Sequence, residues 1–156
     1  MKLDRSKIGL TLPLLHYDVE RCQLRFFSKT VGETDPIYFD EEVARRAGYR
    51  SIIAPPTFGF SCLRGSAEQM PFVTAMGLSE DQVARSLHGE QSFSYGEPIC
   101  AGDRITIEEN ILDIYERRNG TMQFLVTLTR LTNQLGQRVG EMSSTLIIRT
   151  REGARP

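Results

Sequence analysis

The sequence predicts an α+β fold in which an antiparallel sheet wraps around one long central helix. Three observations indicate this class. Apolar residues recur at helical spacing in the first half of the chain, a segment in the middle is apolar on nearly every side, and long alternating strands joined by tight turns follow. Such a meander has one covered apolar face, which needs a helix to bury it.

The first half is predicted to hold a short extended segment and two helices. Residues 16–20 are extended, and a helix of about three turns then ends near Gly32. Asp40 is a suitable N-cap for the second helix and Gly48 a suitable stop. The apolar positions of the first helix are Val19, Cys22, Phe26 and Phe27, and those of the second are Val43, Ala44 and Ala47.

The central helix is predicted over residues 57–69, TFGFSCLRGSAEQ. Pro55 and Pro56 suit its entry, because proline is tolerated at the first helical position. A helix that is apolar on nearly every side is usually buried. Gly59 and Gly65 lower helix propensity but let a neighbouring backbone or a ligand approach closely.

The second half is predicted to be strands, after a loop over residues 70–81 that shows no clear period. The first strand covers residues 86–95 and stops near Pro98. Arg118-Asn119-Gly120 indicates a hairpin, and residues 133–136 form a second turn. On the strand after the hairpin, Met122, Phe124, Val126 and Leu128 alternate with Gln123, Leu125, Thr127 and Thr129.

Length and composition indicate one domain over residues 1–156, with a core at about 15–149 and a polar tail at 150–156. The 156 residues are 40% hydrophobic and 25% charged, as in ordinary globular proteins. A net charge of −1 argues against a nucleic-acid partner. No apolar run reaches the length of a membrane span, and no signal peptide is evident. We therefore expect a cytoplasmic protein with no membrane partner.

The cysteines and histidines predict no metal site and no redox cofactor. Cys22, Cys62 and Cys100 are far apart and form no C-x-x-C pair, so we expect buried free thiols. Two histidines, His16 and His88, are too few for a histidine-based metal site.

The stretch from Gly32 to Phe60 carries the features that identify a family. It contains GETDPIY at 32–38, then a short helix and the sequence APPTF before the central helix. Together with Pro98 and the Ala-Gly-Asp turn at 101–103, this pattern resembles the MaoC-like hydratases and dehydratases over residues 15–149. It is most similar to the MaoC dehydratase N-terminal branch, which includes the substrate-binding subunit of (3R)-hydroxyacyl-carrier-protein dehydratases.

The resemblance implies a single hot-dog fold and a site that departs from the family's catalytic pattern. Active members carry G-D-x-N-P-x-H, whose Asp and His act as acid and base when water adds to a trans-2-enoyl thioester, while a glycine N–H polarises the carbonyl. Here Glu33, Asp35 and Tyr38 replace the Asp, Asn and His, and Pro56 replaces the glycine. Tyrosine is a poor base near neutral pH, and proline has no N–H to donate.

The candidate catalytic residues are Glu33, Tyr38 and His88. For the carboxylates Glu33 and Asp35, a solvated capping turn and a contact with another subunit are the alternatives. His88 is either a general base or a structural histidine, and alternation places it with Glu90 and Ser92 on one face. The residues implied to bind the substrate are Asp35, Pro55, Pro56, Phe58, Gly59, Phe60 and Gln91, and core packing is the alternative for the aromatic ones. Three arginines, Arg45, Arg46 and Arg50, either attract coenzyme A phosphates or an acidic carrier protein, or form a solvated helix face.

The leading hypothesis is an acyl-binding subunit of an (R)-specific enoyl-thioester hydratase or 3-hydroxyacyl dehydratase. Its expected partners are an acyl-CoA or acyl-carrier-protein thioester and either a catalytic MaoC-type subunit or a second copy. Two alternatives remain open. One is an active homodimeric hydratase that uses Glu33, Tyr38 or His88, and the other is a passive thioester-binding module.

Overall fold

The structure is a computed structural model that describes residues 2–64 and 71–149. Five strands form one antiparallel sheet in the order β1-β3-β4-β5-β2. The strands are β1 (Leu15–Asp18), β2 (Ser86–Tyr95), β3 (Arg104–Arg117), β4 (Met122–Thr132) and β5 (Arg138–Arg149). The helices are α1 (Arg21–Thr30), α2 (Glu41–Arg46), α3 (Phe58–Arg64), α4 (Pro71–Met76) and α5 (Glu80–Ala84). This architecture confirms the predicted α+β class.

Helix α3 is the element around which the sheet wraps. Phe58 and Cys62 are fully buried, and the Phe58 ring meets Tyr17 of β1 edge to face. A Cβ on Gly59 would lie 2.9 Å from the Leu131 side chain of β4, so glycine allows this close approach. The predicted central helix is confirmed as far as Arg64, and residues 65–70 of that prediction lie outside the described residues.

Helix α1 buries a different face from the predicted one. Its buried residues are Leu24 and Ser28, whereas Phe26 is 74% exposed and Cys22 is exposed. The buried face of α1 differs from the predicted one because the helix begins only at Arg21. Val19 therefore lies outside the helix and does not belong to its apolar repeat. The expectation that all three cysteines are buried is therefore wrong for Cys22, although it is confirmed for the other two.

The predicted loop over residues 70–81 is wrong, because α4 and the start of α5 form there. Met76 and Leu78 are buried in the core. Ser79 and Gln82 form a capping box, in which each side chain satisfies a backbone N–H of the other residue. This Ser-x-x-Gln spacing was a readable helix signal.

Strand β2 contains a β-bulge that reverses the predicted faces. The register with β5 shifts between His88 and Glu90, with Gly89 as the extra residue. His88 therefore shares the inner face with Gln91 and Phe93, and the predicted grouping of His88 with Glu90 is wrong. Glycine suits the bulge because a Cβ there would lie 2.7 Å from the Ile147 side chain and 3.2 Å from a backbone oxygen.

Two apolar clusters of the core lie against the inner face of the sheet. The first surrounds the start of α3 and includes Leu24, Phe58, Ile107, Leu131 and Met142. The second lies beneath α4 and includes Leu12, Met76, Ile111, Leu125 and Ile148. On β4 the more buried face is the one that carries Gln123, Leu125, Thr127 and Thr129, rather than the Met122 face.

The turn before β3 is stabilised by an ion pair between the buried Asp103 and the partly exposed Arg50. Asp103 has a fully buried side chain and accepts hydrogen bonds from Arg50 at 2.6 and 2.9 Å, from the Cys100 N–H at 2.8 Å and from Gln134 at 3.0 Å. Burial alone would raise the pKa of this carboxyl, but the hydrogen bonds outweigh it and hold the pKa below its usual value. Within residues 2–64 and 71–149, no helix has the length and apolar character needed to cross a membrane.

Candidate functional site

The turn after α1 brings together Glu33, Asp35 and Tyr38. Its backbone is fixed locally, since the Glu33 N–H donates to the Ser28 carbonyl at 2.9 Å. Asp35 caps a 3₁₀ turn over Pro36–Tyr38, where its carboxylate accepts from the Ile37 N–H at 3.0 Å. These contacts favour the capping role that the sequence left open for Asp35.

Tyr38 is half-buried within this turn. Burial raises the pKa of its phenol, and the neighbouring carboxylates of Glu33 and Asp35 raise that pKa further. The phenol therefore remains protonated at neutral pH. In this state it can donate a hydrogen bond or a proton, but it cannot accept a proton from water as the family's histidine does.

The entry to α3 lacks the donor that the family's glycine supplies. Pro55 is buried and Pro56 is exposed in the turn before the helix. The Phe58 N–H already donates to the Pro55 carbonyl at 2.9 Å. Because proline has no N–H, Pro56 cannot polarise a thioester carbonyl.

Three cavities lie beside α3 and share lining residues, and we call them together the cleft. The first lies between α1, β1 and α3 and shares Phe27 and Ser61 with the second. The second shares Phe60 and His88 with the third. Apolar pockets with a few polar groups are the usual form of small-molecule sites.

Some of the predicted site residues line the cleft. The His88 ring meets Phe60 edge to face at 5.6 Å between centroids, and Gln91 accepts from the Ser144 hydroxyl at 2.5 Å. Phe58 lines the first cavity, although it is mainly a core residue. Among the described residues, Glu33, Asp35 and Tyr38 do not line these three cavities, whereas His88 lines two of them.

The arginines near α2 are engaged by the protein itself. Arg45 pairs with Glu41 at 2.5 Å, and Arg46 donates to the Glu42 carbonyl at 3.4 Å. Arg50 is held by the buried Asp103. These contacts favour the structural alternative over phosphate binding.

Comparison with known proteins identifies the family. A model of the FAS1-like dehydratase domain region matches residues 6–142. The chain belongs to the FAS1-like dehydratase family. It is 42% identical to a UPF0336 protein of Streptomyces griseus over 112 residues, covering 71% of this chain and 73% of the relative. A UPF0336 protein of Saccharopolyspora erythraea is 33% identical over 150 residues, covering 96% and 93%.

Solved structures place this chain among the MaoC-like hot-dog proteins. The HadBC (3R)-hydroxyacyl-ACP dehydratase complex of Mycobacterium tuberculosis contains a chain with a TM-score of 0.78 and 27% identity, covering 94% of this chain and 99% of that one. The ChsH1-ChsH2 complex of the same organism gives 0.72 at 17% identity, covering 93% and 87%. The R-hydratase PhaJ1 of Pseudomonas aeruginosa gives 0.66 at 16% identity, covering 96% and 89%. The last two likenesses show the fold alone.

Several residues that line the cleft were not predicted from the sequence of this chain. Ser61 lines two of the cavities, and Glu109 and Thr127 line the third. Ser61 could have been noticed as a polar residue on a mainly apolar helix. Glu109 gave no usable signal, because its orientation depends on strand register.

Proposed function

We propose that this chain is the acyl-thioester-binding subunit of an (R)-specific enoyl-thioester hydratase or 3-hydroxyacyl dehydratase. A MaoC-type partner supplies the acid and the base. The observation that carries this proposal is the largely apolar cleft beside α3. The residues Glu33, Tyr38 and Pro56, which stand where the resemblance places the family's catalytic groups, support it.

The cleft suits a flexible apolar chain. Aromatic side chains lie along it, including Phe27 and Phe60, and it extends to the apolar side chains of Leu125 and Leu146. Each methylene group that an acyl chain buries here contributes about 0.8 kcal/mol of transfer free energy. A ligand of this kind needs few polar contacts, since the thioester and its carrier remain near the cleft entrance.

The reaction requires groups that this chain does not provide in the family's arrangement. In hydration, a base takes a proton from water while the water oxygen bonds to C3 of the enoyl group, and an acid delivers a proton to C2. Charge accumulates on the thioester oxygen during this step, and a backbone donor stabilises it. The protonated Tyr38 is not a base, and Pro56 is not a donor.

The sheet offers an edge for a partner. Strand β2 is the last strand in the sheet order and pairs with β5 on one side only. Its Leu87 and Tyr95 side chains are 47% and 58% exposed. An unprotected edge strand is a ready surface for another chain. The structural neighbour at 27% identity is a chain of a complex, HadBC, which supports a heteromeric assembly here.

The position of His88 favours one alternative function. It lines two cavities of the cleft, beside Phe60, and an imidazole can act as a general base. A homodimeric hydratase in which His88 is the base is therefore the second candidate. A passive thioester-binding module is the third.

Ser61→Trp is expected to weaken binding of a long acyl-CoA at least about tenfold, because the indole fills the passage between the first two cavities. Isothermal calorimetry with dodecanoyl-CoA measures this, using the chain alone and with its partner. Glu42→Trp on the exposed side of α2 is the matched control and should bind like the wild type. Equal affinities for all three proteins would contradict an acyl site in this cleft.

A further inference from the structure

The outer face of the sheet, which is turned away from α3, is apolar along β4. The partly exposed residues that β4 presents there over residues 122–129 are Met122, Phe124, Val126 and Leu128. The buried face of the same strand is the more polar of the two, since it carries Gln123, Thr127 and Thr129. A sheet face that meets water is normally the polar one, so this inversion indicates that another surface covers the outer face.

One row of apolar side chains crosses the outer face over four adjacent strands, and we call it the apolar row. It consists of Tyr115 on β3, Phe124 on β4, Ile147 on β5 and Leu87 on β2. Phe124 pairs with Tyr115 on one side and with Ile147 on the other, and Ile147 in turn pairs with Leu87. The rings of Tyr115 and Phe124 stack with 4.6 Å between their centroids. Contiguous apolar surface of this kind marks a protein interface.

The two sides of the apolar row carry charges of opposite sign. On one side, Arg117 of β3 and Arg149 of β5 are exposed and pair with the same β4 residue, Met122. On the other side, Asp113 of β3 and Glu90 of β2 are exposed and lie in the next row of paired residues. Within residues 2–64 and 71–149, none of these four charged side chains forms an ion pair.

This arrangement of charges is complementary to itself. A two-fold axis that runs along the apolar row places the row of one copy on the row of the other and reverses the strand direction. The arginine side of each copy then faces the carboxylate side of the other, so Arg117 meets Asp113 of the second copy twice. Packed sheets lie about 10 Å apart, a distance that an arginine and an aspartate side chain can span together.

We infer that the outer face of the sheet binds the same face of a second copy of this chain, with the apolar row at the centre of the contact. The contact goes beyond the proposed function and does not depend on it. A partner that pairs with the edge of β2 extends the sheet in its own plane and leaves the outer face open. The complete assembly is then two such pairs joined through the outer faces of this chain.

Sedimentation velocity of the full chain, alone and with a MaoC-type partner, tests this contact. Phe124→Glu places a charge at the centre of the apolar row, and it should weaken self-association at least about tenfold and halve the mass of the assembly in both samples. Val31→Glu is the matched control, because Val31 is 48% exposed at the end of α1, and it should leave the mass unchanged. Circular dichroism verifies that each variant is folded.

Exchanging the charges tests the two-fold arrangement itself. Arg117→Asp sets two carboxylates against each other and Asp113→Arg sets two guanidinium groups against each other, so each change should weaken association about tenfold or more. The double variant Arg117→Asp/Asp113→Arg restores opposite charges across the contact and should restore association. Both residues are exposed, so these variants test the contact even if Phe124→Glu does not fold.

Three results would overturn the inference. The first is a wild-type assembly that contains one copy of this chain, both alone and with the partner, at about 100 μM. The second is self-association that Phe124→Glu and both single charge variants leave unchanged. The third is a double charge variant that associates as weakly as the single variants. Binding of a different protein to the outer face would appear as the first result.

Discussion

A co-purified pair of this chain and a MaoC-type partner is expected to lose about 10³-fold or more of its kcat/KM for crotonyl-CoA when the partner's motif Asp is changed to Asn. Glu33→Gln in this chain should change the same quantity by less than about threefold. The difference follows from the separation of Glu33 from the cleft and from the protonated state of Tyr38. Steady-state hydration assays on both variant pairs measure it.

The matched variants in this chain make the comparison specific. Tyr38→Phe removes only the phenolic hydroxyl, so it should leave kcat almost unchanged if this turn is structural. Circular dichroism and thermal unfolding verify that each variant is folded. A loss of 100-fold or more from Glu33→Gln or Tyr38→Phe would place proton transfer in this chain and contradict the proposal.

Asp103→Ala is expected to lower the free energy of unfolding by about 1–3 kcal/mol, because the buried Cys100 N–H loses its acceptor, whereas the partly exposed Arg50 can be solvated. Asp103 is fully buried and receives hydrogen bonds from Arg50, the Cys100 N–H and Gln134, all of which lose their acceptor. Urea unfolding measures the loss. Asp18→Ala is the control, because Asp18 contacts Arg104 only at 3.8 Å with both side chains exposed, and it should change stability by less than about 0.5 kcal/mol.

The lowered pKa of Asp103 predicts that the free energy of unfolding decreases in acid. The pKa of Asp103 is lower in the folded chain than its ordinary value of about 4. Its contribution is therefore complete above that ordinary value and is lost as the pH falls through the lowered one. When the pH falls from neutral to below the lowered pKa of Asp103, the wild type should lose more stability than Asp103→Asn. Parallel curves for the two proteins would contradict this assignment.

The sequence predicted elements whose signals are local. The Asp40 cap is confirmed by hydrogen bonds from the N–H groups of Glu42 and Val43. The hairpin is confirmed by the left-handed backbone of Arg118 and Asn119. Caps and tight turns depend on a few adjacent residues, so they can be recognised without knowledge of the tertiary structure.

Features that depend on register could not be predicted in this way. The bulge at Gly89 turns His88 toward the cleft, and simple alternation places it with the wrong neighbours. The burial of Glu109 likewise depends on which face of β3 meets α3. On α1, tertiary packing selected Leu24 over the more apolar stripe that contains Phe26.

The candidate site was therefore predicted in parts. The assignment of Glu33, Tyr38 and Pro56 to the family's acid, base and donor positions remains a prediction from the motif. The cleft itself is formed by residues from α1, α3, α4 and all five strands, which no single stretch of sequence brings together.

The most direct measurement is the hydration rate of crotonyl-CoA and longer enoyl-CoAs by the chain alone and by the chain co-purified with a MaoC-type partner. A suitable partner for this test is a MaoC-type chain that carries G-D-x-N-P-x-H. We expect background rates from the isolated chain and turnover only from the pair. Robust hydration by the isolated chain, reduced by Glu33→Gln or His88→Ala, would contradict the proposed division of labour.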